Sequence, residues 1–218
     1  MRDVHCHIVP GVDDGARDLE ESLAMFQVAR AAGVTSIVAT PHARGHWYNP
    51  EKVHEAFGQL KRAVHEIDPD FSLTLGWEVY YDTLMELGIE CASELGFEGT
   101  SELLLEFSTN RLPLDYQRVL YQLQGKGLQV IIAHPERYVF VQKDVSIAES
   151  FVAAGCSLQA SADCVSGGIF DGGKKCAKRL FDKRLYSYIA SDAHRVEHYA
   201  NLVAAKKTYR SRGAHANV

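Results

Sequence analysis

No two of the five cysteines stand as Cys-x-x-Cys, and an odd count does not suit a chain cross-linked only to itself. Cys6, Cys91, Cys156, Cys164 and Cys176 therefore read as reduced thiols packed as small hydrophobes, with neither a disulfide framework nor a zinc knuckle. Also missing is an arginine six positions after any cysteine, where a loop could wrap phosphate around a nucleophilic thiolate. Those positions hold Val12, Phe97, Ala162, Phe170 and Asp182, which excludes cysteine-phosphatase chemistry. The formal charge is −5 and no broad basic face is evident, so a nucleic-acid footprint is not expected. No apolar run reaches about 18 residues, and the chain opens on a strand-like segment instead of a charged-then-apolar signal. A soluble cytoplasmic protein without membrane insertion is expected. Repeats, low-complexity tracts and long linkers are lacking too, so residues 1–218 read as a single domain.

What is present is concentrated first in residues 1–15, Met-Arg-Asp-Val-His-Cys-His-Ile-Val-Pro-Gly-Val-Asp-Asp-Gly. Alternating Val4, Cys6 and Ile8 read as a buried strand, which projects His5 and His7 from one face as a metal-ready pair. Alone, such a pair also fits one buried, hydrogen-bonded histidine beside an exposed one. Repetition separates the two readings, because four later strand-like runs also end in His, Asp or Glu.

Taken in order, residues 18–32 carry helical spacing and stop at Gly33, and 36–42 form an apolar strand ending in His42. Asn49-Pro50 opens a helix to Ile67. Residues 71–81 are strand-like with Glu78 near the end, and 82–96 are ambiguous between helix and irregular structure. The strand 101–107 closes on Glu106. Residues 114–125 read as a helix offering Leu114, Val119, Leu120 and Leu123 to the core. The run 129–134 is the clearest strand and stops at His134. A helix over 146–154 is followed by a polar strand over 157–165 with no obvious ligand. Gly167-Gly168 and Gly172-Gly173 bracket a flexible entry to a basic helix over 174–183, whose lysines read as a solvated face. The last strand, 186–194, ends in Asp192-Ala-His194, and a helix over 196–212 completes the chain.

Seven alternations of strand and helix imply an α/β fold with mostly parallel strands, and a closed or nearly closed, distorted (β/α)7 barrel is expected. The strand C-termini of such a barrel share the face that carries the chemistry. His42, Glu78, Glu106, His134, Asp192 and His194 fall there, with His5 and His7 facing the same mouth. A metal centre is the expected result.

The runs Asp3-x-His5-x-His7, Asp13-Asp14-Gly15, Thr40-Pro41-His42, Glu78-Val-Tyr-Tyr, Leu105-Glu106-Phe, His134-Pro-Glu-Arg137-Tyr138 and Ser191-Asp192-Ala-His194 resemble the polymerase and histidinol phosphatase (PHP) superfamily. Within it they are most similar to the bacterial capsule-associated, metal-dependent protein-tyrosine phosphatases, over residues 1 to about 210. Those relatives usually carry a further short segment with an Asn-Pro pair, which does not follow the last helix here. The resemblance implies a TIM-like barrel with up to three divalent metals, usually manganese, with iron or zinc as alternatives. The implied ligands are His5, His7, Asp14, His42, Glu78, Glu106, His134, Asp192 and His194, with Asp13 the alternative to Asp14. Glu106 is expected to bridge two metals, because a carboxylate offers two oxygens. Mixed nitrogen and oxygen donors do not choose among the three metals.

These neutral histidines and carboxylates around three divalent ions would leave about +2, which a phosphate monoester dianion neutralises. Metal-activated hydroxide could then attack phosphorus without a phosphoenzyme, with Asp192 and His194 at the reacting centre. Arg137, three residues past His134, could grip phosphate with its planar fork, or pair with Glu136. Arg44 is either a second phosphate contact or solvent-exposed. Trp47, Tyr48, Tyr80, Tyr81 and Tyr138 could face a phosphotyrosine ring or simply brace loops. The family likeness implies bacterial tyrosine kinases that control capsular or exopolysaccharide synthesis as substrates. Two other readings stay open: a small-molecule phosphomonoesterase, as on histidinol phosphate, or a related phosphodiesterase; and a non-catalytic metal-binding or kinase-docking module.

Overall fold

Residue by residue, the chain builds parallel strands that hand over to helices at their C-terminal ends. A computed structural model describes residues 1–166 and 172–210. In chain order the elements are β1 (Arg2–Cys6), α1 (Leu19–Ala31), β2 (Ser36–Ala39), β3 (His42–Ala43), α2 (Pro50–Ile67), β4 (Ser72–Leu75), β5 (Glu78–Tyr80) and α3 (Tyr81–Leu87). They continue with β6 (Glu102–Glu106), α4 (Tyr116–Gly125), β7 (Gln129–Ala133), α5 (Val139–Lys143), α6 (Ser146–Ala153), β8 (Ser157–Ser161), α7 (Ala162–Ser166), α8 (Gly172–Asp182), β9 (Tyr188–Ala190) and α9 (His198–Arg210).

The strands form two parallel sheets, β1-β2-β4 and β3-β5-β6-β7-β8-β9. A closed barrel ladder was expected; among the described residues the two sheets meet instead through an isolated parallel bridge from Cys6 to Ala193. The physical reason lies in two interruptions. Pro41, which has no N–H to give a ladder, separates β2 from β3. Gly76 separates β4 from β5, and a Cβ there would stand 2.3 Å from the Phe97 ring, so only glycine lets that ring approach.

Alternation along the strands sorts two apolar clusters. Leu103, Leu105, Val130, Ile132, Leu158 and Ile189 join the large cluster, together with buried helical residues such as Phe26, Leu60, Leu120 and Phe151. Fully burying a side chain of this size contributes roughly 1.5–3 kcal/mol. Val4, Val38, Phe97, Leu104, Ile131, Ala133 and Ala190 form a second, smaller cluster. Val4 and Cys6, expected on one face, belong to different clusters, because the β1–β2 register shifts between Asp3 and Cys6. Along β6 the side-chain period of two places Leu104 and Glu106 on one face, so this apolar cluster underlies a polar rim at the strand ends.

Several expected boundaries move. The polar strand ends at Ser161 and turns into α7, the ambiguous stretch becomes α3 and a 3-10 turn (Ile89–Leu95), and an unforeseen α5 follows His134. Leu114 was expected in the core and is fully exposed, because α4 starts only at Tyr116. Gly172-Gly173 open α8, whereas Gly167-Gly168 lie outside the described residues, as does the end of the expected last helix beyond Arg210. No described helix is long and apolar enough to cross a membrane.

Candidate metal centre

The first two imidazoles are completely buried and held from behind. His7 Nδ1 lies 2.8 Å from Asp13 Oδ2, and His5 Nδ1 lies 3.0 Å from Gln159 Oε1. Both partners are oxygens that accept, so each Nδ1 donates its N–H, and in the neutral ring that leaves the Nε2 lone pair bare. Those two Nε2 atoms face each other at 3.1 Å. Two lone pairs at that separation repel unless a cation or a proton sits with them, which is the first sign that these residues fit a metal.

The donors brought together fall into overlapping groups: His7, Asp14, His42 and His194; His5, His134 and Asp192; His5, His7 and Glu78; His42, Glu78 and Glu106. Within each group one donor atom per residue lies within 4.8 Å of the others. All nine expected ligands take part. Asp13 and Asp14 separate cleanly. Asp13 accepts from His7, the Gly15 N–H and the His42 N–H and joins none of the groups, whereas Asp14 Oδ1 stands 3.3 Å from His42 Nε2 and 3.4 Å from His194 Nε2. The turn that allows this needs Gly15, where a Cβ would fall 2.1 Å from the His7 carbonyl oxygen.

Glu106, expected to bridge, joins one group; Glu78 joins two. The buried Glu78 carboxylate is 2.8 Å from His134 Nε2, 2.9 Å from His42 Nδ1, 3.3 Å from His7 Nε2 and 3.4 Å from His5 Nε2. Among the described residues, three buried polar atoms are left without a hydrogen-bond partner: His42 Nδ1, Glu106 Oε2 and His134 Nδ1. The His42 contact is short but lies outside hydrogen-bond geometry. Orphaned donors and acceptors in a histidine–carboxylate cage fit hard or borderline divalent cations.

Electrostatics agree. Burial, and then the charge of Glu78, push the Glu106 carboxyl up to about 8. Burial works against the His42 imidazolium, as does His7, yet Glu78 and Asp14 bring it to about 9. Burial would raise Asp192, but His5 and Arg137 hold it well below the usual carboxylate range. His134 is lowered by burial and then by Arg137. Backbone strain accompanies the charge: His134 and Asp192 adopt φ of 29° and 49°, in the left-handed region that side chains other than glycine avoid. Asp192 is kept there by Asp3, whose buried carboxylate accepts from the Ser191 N–H at 2.9 Å and hydroxyl at 2.6 Å.

Arg137 does not pair with Glu136. Its Nη1 is 2.5 Å from Asp192 Oδ2, and its Nη2 donates to Ser161 and Asp163, each at 3.0 Å. Glu136 is buried, accepting from the Ser161 N–H and the Tyr186 hydroxyl, and burial pushes it up to about 7. Arg44 is partly exposed, 4.3 Å above the Tyr80 ring and 3.7 Å from Glu106. Of the aromatic residues, Tyr81 and Tyr138 are buried braces, while Trp47 stacks on the His42 ring at 5.0 Å. Gln159, Ser161 and Asp163 were missed from the sequence, where 157–165 shows no ligand pattern. Asp13 was named only as the alternative ligand to Asp14, and Asp3 only as part of the Asp3-x-His5-x-His7 run.

The thiols stand apart from this chemistry. Cys6, Cys156, Cys164 and Cys176 are buried, and burial raises Cys156 to about 12 and Cys176 to about 11. Iodoacetamide at pH 8 is therefore expected to leave phosphate release unchanged, measured before and after alkylation; loss of most activity would return thiol chemistry to consideration.

Known proteins are similar to this chain in sequence and in fold. Tyrosine-protein phosphatase YwqE of Bacillus subtilis is 32% identical over 199 residues, covering 90% of this chain and 78% of its own. Tyrosine-protein phosphatase CpsB of Streptococcus pneumoniae is 32% identical over 206 residues, covering 90% and 84%. A crystal structure from the pair YwqE and CpsB, described as unique metal-dependent tyrosine phosphatases, superposes with a TM-score of 0.83 at 30% identity, over 96% of this chain and 88% of the other. The family model for capsular polysaccharide synthesis proteins, CpsB/CapC, matches residues 1–214, and it is to that family that this chain belongs.

Proposed function

We propose that this chain is a metal-dependent phosphatase that hydrolyses phosphotyrosine on proteins, with bacterial tyrosine kinases governing capsular or exopolysaccharide synthesis as its substrate class. The observation that carries the reading is the meeting of nine histidine and carboxylate side chains at one set of strand ends, with three of their polar atoms unpartnered. His5, His7, Asp14, His42, Glu78, Glu106, His134, Asp192 and His194 would hold up to three divalent ions, manganese first among them, with iron or zinc also suited. When bound, such ions lower the pKa of water and neutralise phosphoryl oxygens.

The remaining work falls to the chain. Arg137 binds phosphate oxygens through its fork, already aimed at the strand ends by Asp192, Ser161 and Asp163. Asp192 and His194 line the reacting centre, and Arg44 beside Glu106 offers a second cationic contact. Trp47 and Tyr80 stand at the rim, where flat rings suit an aryl substrate. Phenolate, with a pKa near 10, leaves more readily than an alkoxide, so release of the phosphotyrosine ring needs less help from an acid.

We also read residues 1–218 as one domain, supported by a main apolar cluster that runs from Cys6 to Ala205, and place it in the cytoplasm, where tyrosine-kinase substrates of this class would be met. The two sheets are read as parts of one distorted seven-stranded barrel, in which β2 with β3 and β4 with β5 are each a single interrupted strand. The Cys6–Ala193 bridge supports that.

Manganese-loaded protein is expected to release phosphate from a phosphotyrosine peptide with at least about tenfold higher kcat/KM than from histidinol phosphate or a phosphorylated nucleic-acid end, about 1.4 kcal/mol of discrimination. Preference for histidinol phosphate would replace the substrate assignment. Peptide binding without phosphate release would make the chain a docking module.

A further inference from the structure

Strand β8 supplies no metal-type donor, yet its central side chain is the completely buried amide of Gln159. Burying an amide is costly unless every polar atom is answered. Three of its four hydrogen-bonding positions are met by specific partners. Gln159 Oε1 lies 3.0 Å from His5 Nδ1 and accepts from the His134 backbone N–H at 3.3 Å, while its Nε2 donates to the Ala160 carbonyl at 2.8 Å. One side chain therefore touches two of the nine donors' residues, 154 positions away along the chain in one case and 25 in the other. The His134 N–H it holds belongs to a residue strained at φ 29°.

We infer that Gln159 is a positioning residue for the cation site: it locks His5 in the tautomer whose Nε2 lone pair faces His7, Glu78 and Asp192, and it pins the left-handed turn that presents His134. His5 Nε2 stands 3.1 Å from His7 Nε2, 3.4 Å from Glu78 and 3.3 Å from Asp192, whereas its other nitrogen has Gln159 as its hydrogen-bond acceptor. Turning the ring over, or moving the proton to Nε2, would leave the Gln159 oxygen without its proton and remove a donor from two of the four groups. A partner behind a metal-binding histidine typically changes affinity about 10- to 100-fold. The inference rests on the reading that His5 and His134 hold cations.

The test compares wild type, Gln159→Met and Gln159→Glu, using manganese titration of the metal-stripped protein and zinc-loaded protein for nitrogen-15 NMR of the imidazoles. Gln159→Met keeps the length without the acceptor and is expected to weaken manganese binding about 10- to 100-fold. Gln159→Glu keeps the acceptor for both His5 and the His134 N–H and is expected to recover most of that loss. Zinc-loaded wild type is expected to show His5 protonated at Nδ1 and unprotonated, zinc-bound, at Nε2, a readout that stands even if Gln159→Met does not fold. Equal manganese affinity in wild type and Gln159→Met, equal losses in the two variants, or a His5 proton on Nε2 would each overturn the inference. Wild type that takes up neither manganese nor zinc would instead overturn the metal reading beneath it.

Discussion

Glu78→Gln is expected to lower phosphotyrosine turnover on the order of a thousandfold, about 4 kcal/mol of transition-state stabilisation, and to take metal content down with it. The change keeps shape and removes one charge. Imidazoles of His5, His7, His42 and His134 all lie within 3.4 Å of the two Glu78 oxygens. An amide offers one weak oxygen donor and turns an N–H toward the remaining imidazoles, so at least one cation position is lost. Glu106, placed in a single group, is expected to show the smaller loss. Metal analysis alongside a phosphotyrosine assay checks both variants. Full occupancy with turnover near that of wild type would mean that Glu78 is a structural acid only.

Arg137→Lys should separate phosphate recognition from metal binding. Lysine keeps the positive charge that faces Asp192 but replaces a planar fork with a single ammonium, and arginine contributes no lone pair to any ion. A loss in kcat/KM on the order of a hundredfold, about 2.7 kcal/mol, is expected with unchanged metal stoichiometry. Arg137→Ala is the poorer choice, since it strips the partner from the buried Asp192 at 2.5 Å. If Arg137→Lys hydrolyses the peptide as wild type does, the guanidinium serves only to brace Asp192 and Asp163.

Much of this site was legible because the chemistry lies at strand ends. His42 falls just beyond the Pro41 break, His134 directly after an apolar strand, and Glu106 closes one, so each could be placed without knowing its neighbours. Helix α2 was equally plain, its Asn49 side chain accepting from the Lys52 N–H and Pro50 filling the first turn. What stayed hidden depends on contacts across the fold. Gln159 looks like an ordinary strand residue until His5 and His134 are beside it. Asp163 gains meaning only where β8 turns into α7 and faces Arg137, and Glu78 becomes the hub only when four separate elements converge. The closed ladder was over-read for a local reason: counting strand-and-helix alternations takes no notice of a missing N–H at Pro41 or of a ring seated over Gly76.

Diffraction from manganese-grown crystals at the manganese absorption edge tests the cation cage most directly. Anomalous peaks are expected among His5, His7, His42, His134 and His194 and the four carboxylates, with Glu78 touching more than one. A map with no peak there, or with Glu106, His134 and Asp192 turned to separate solvent, would contradict it.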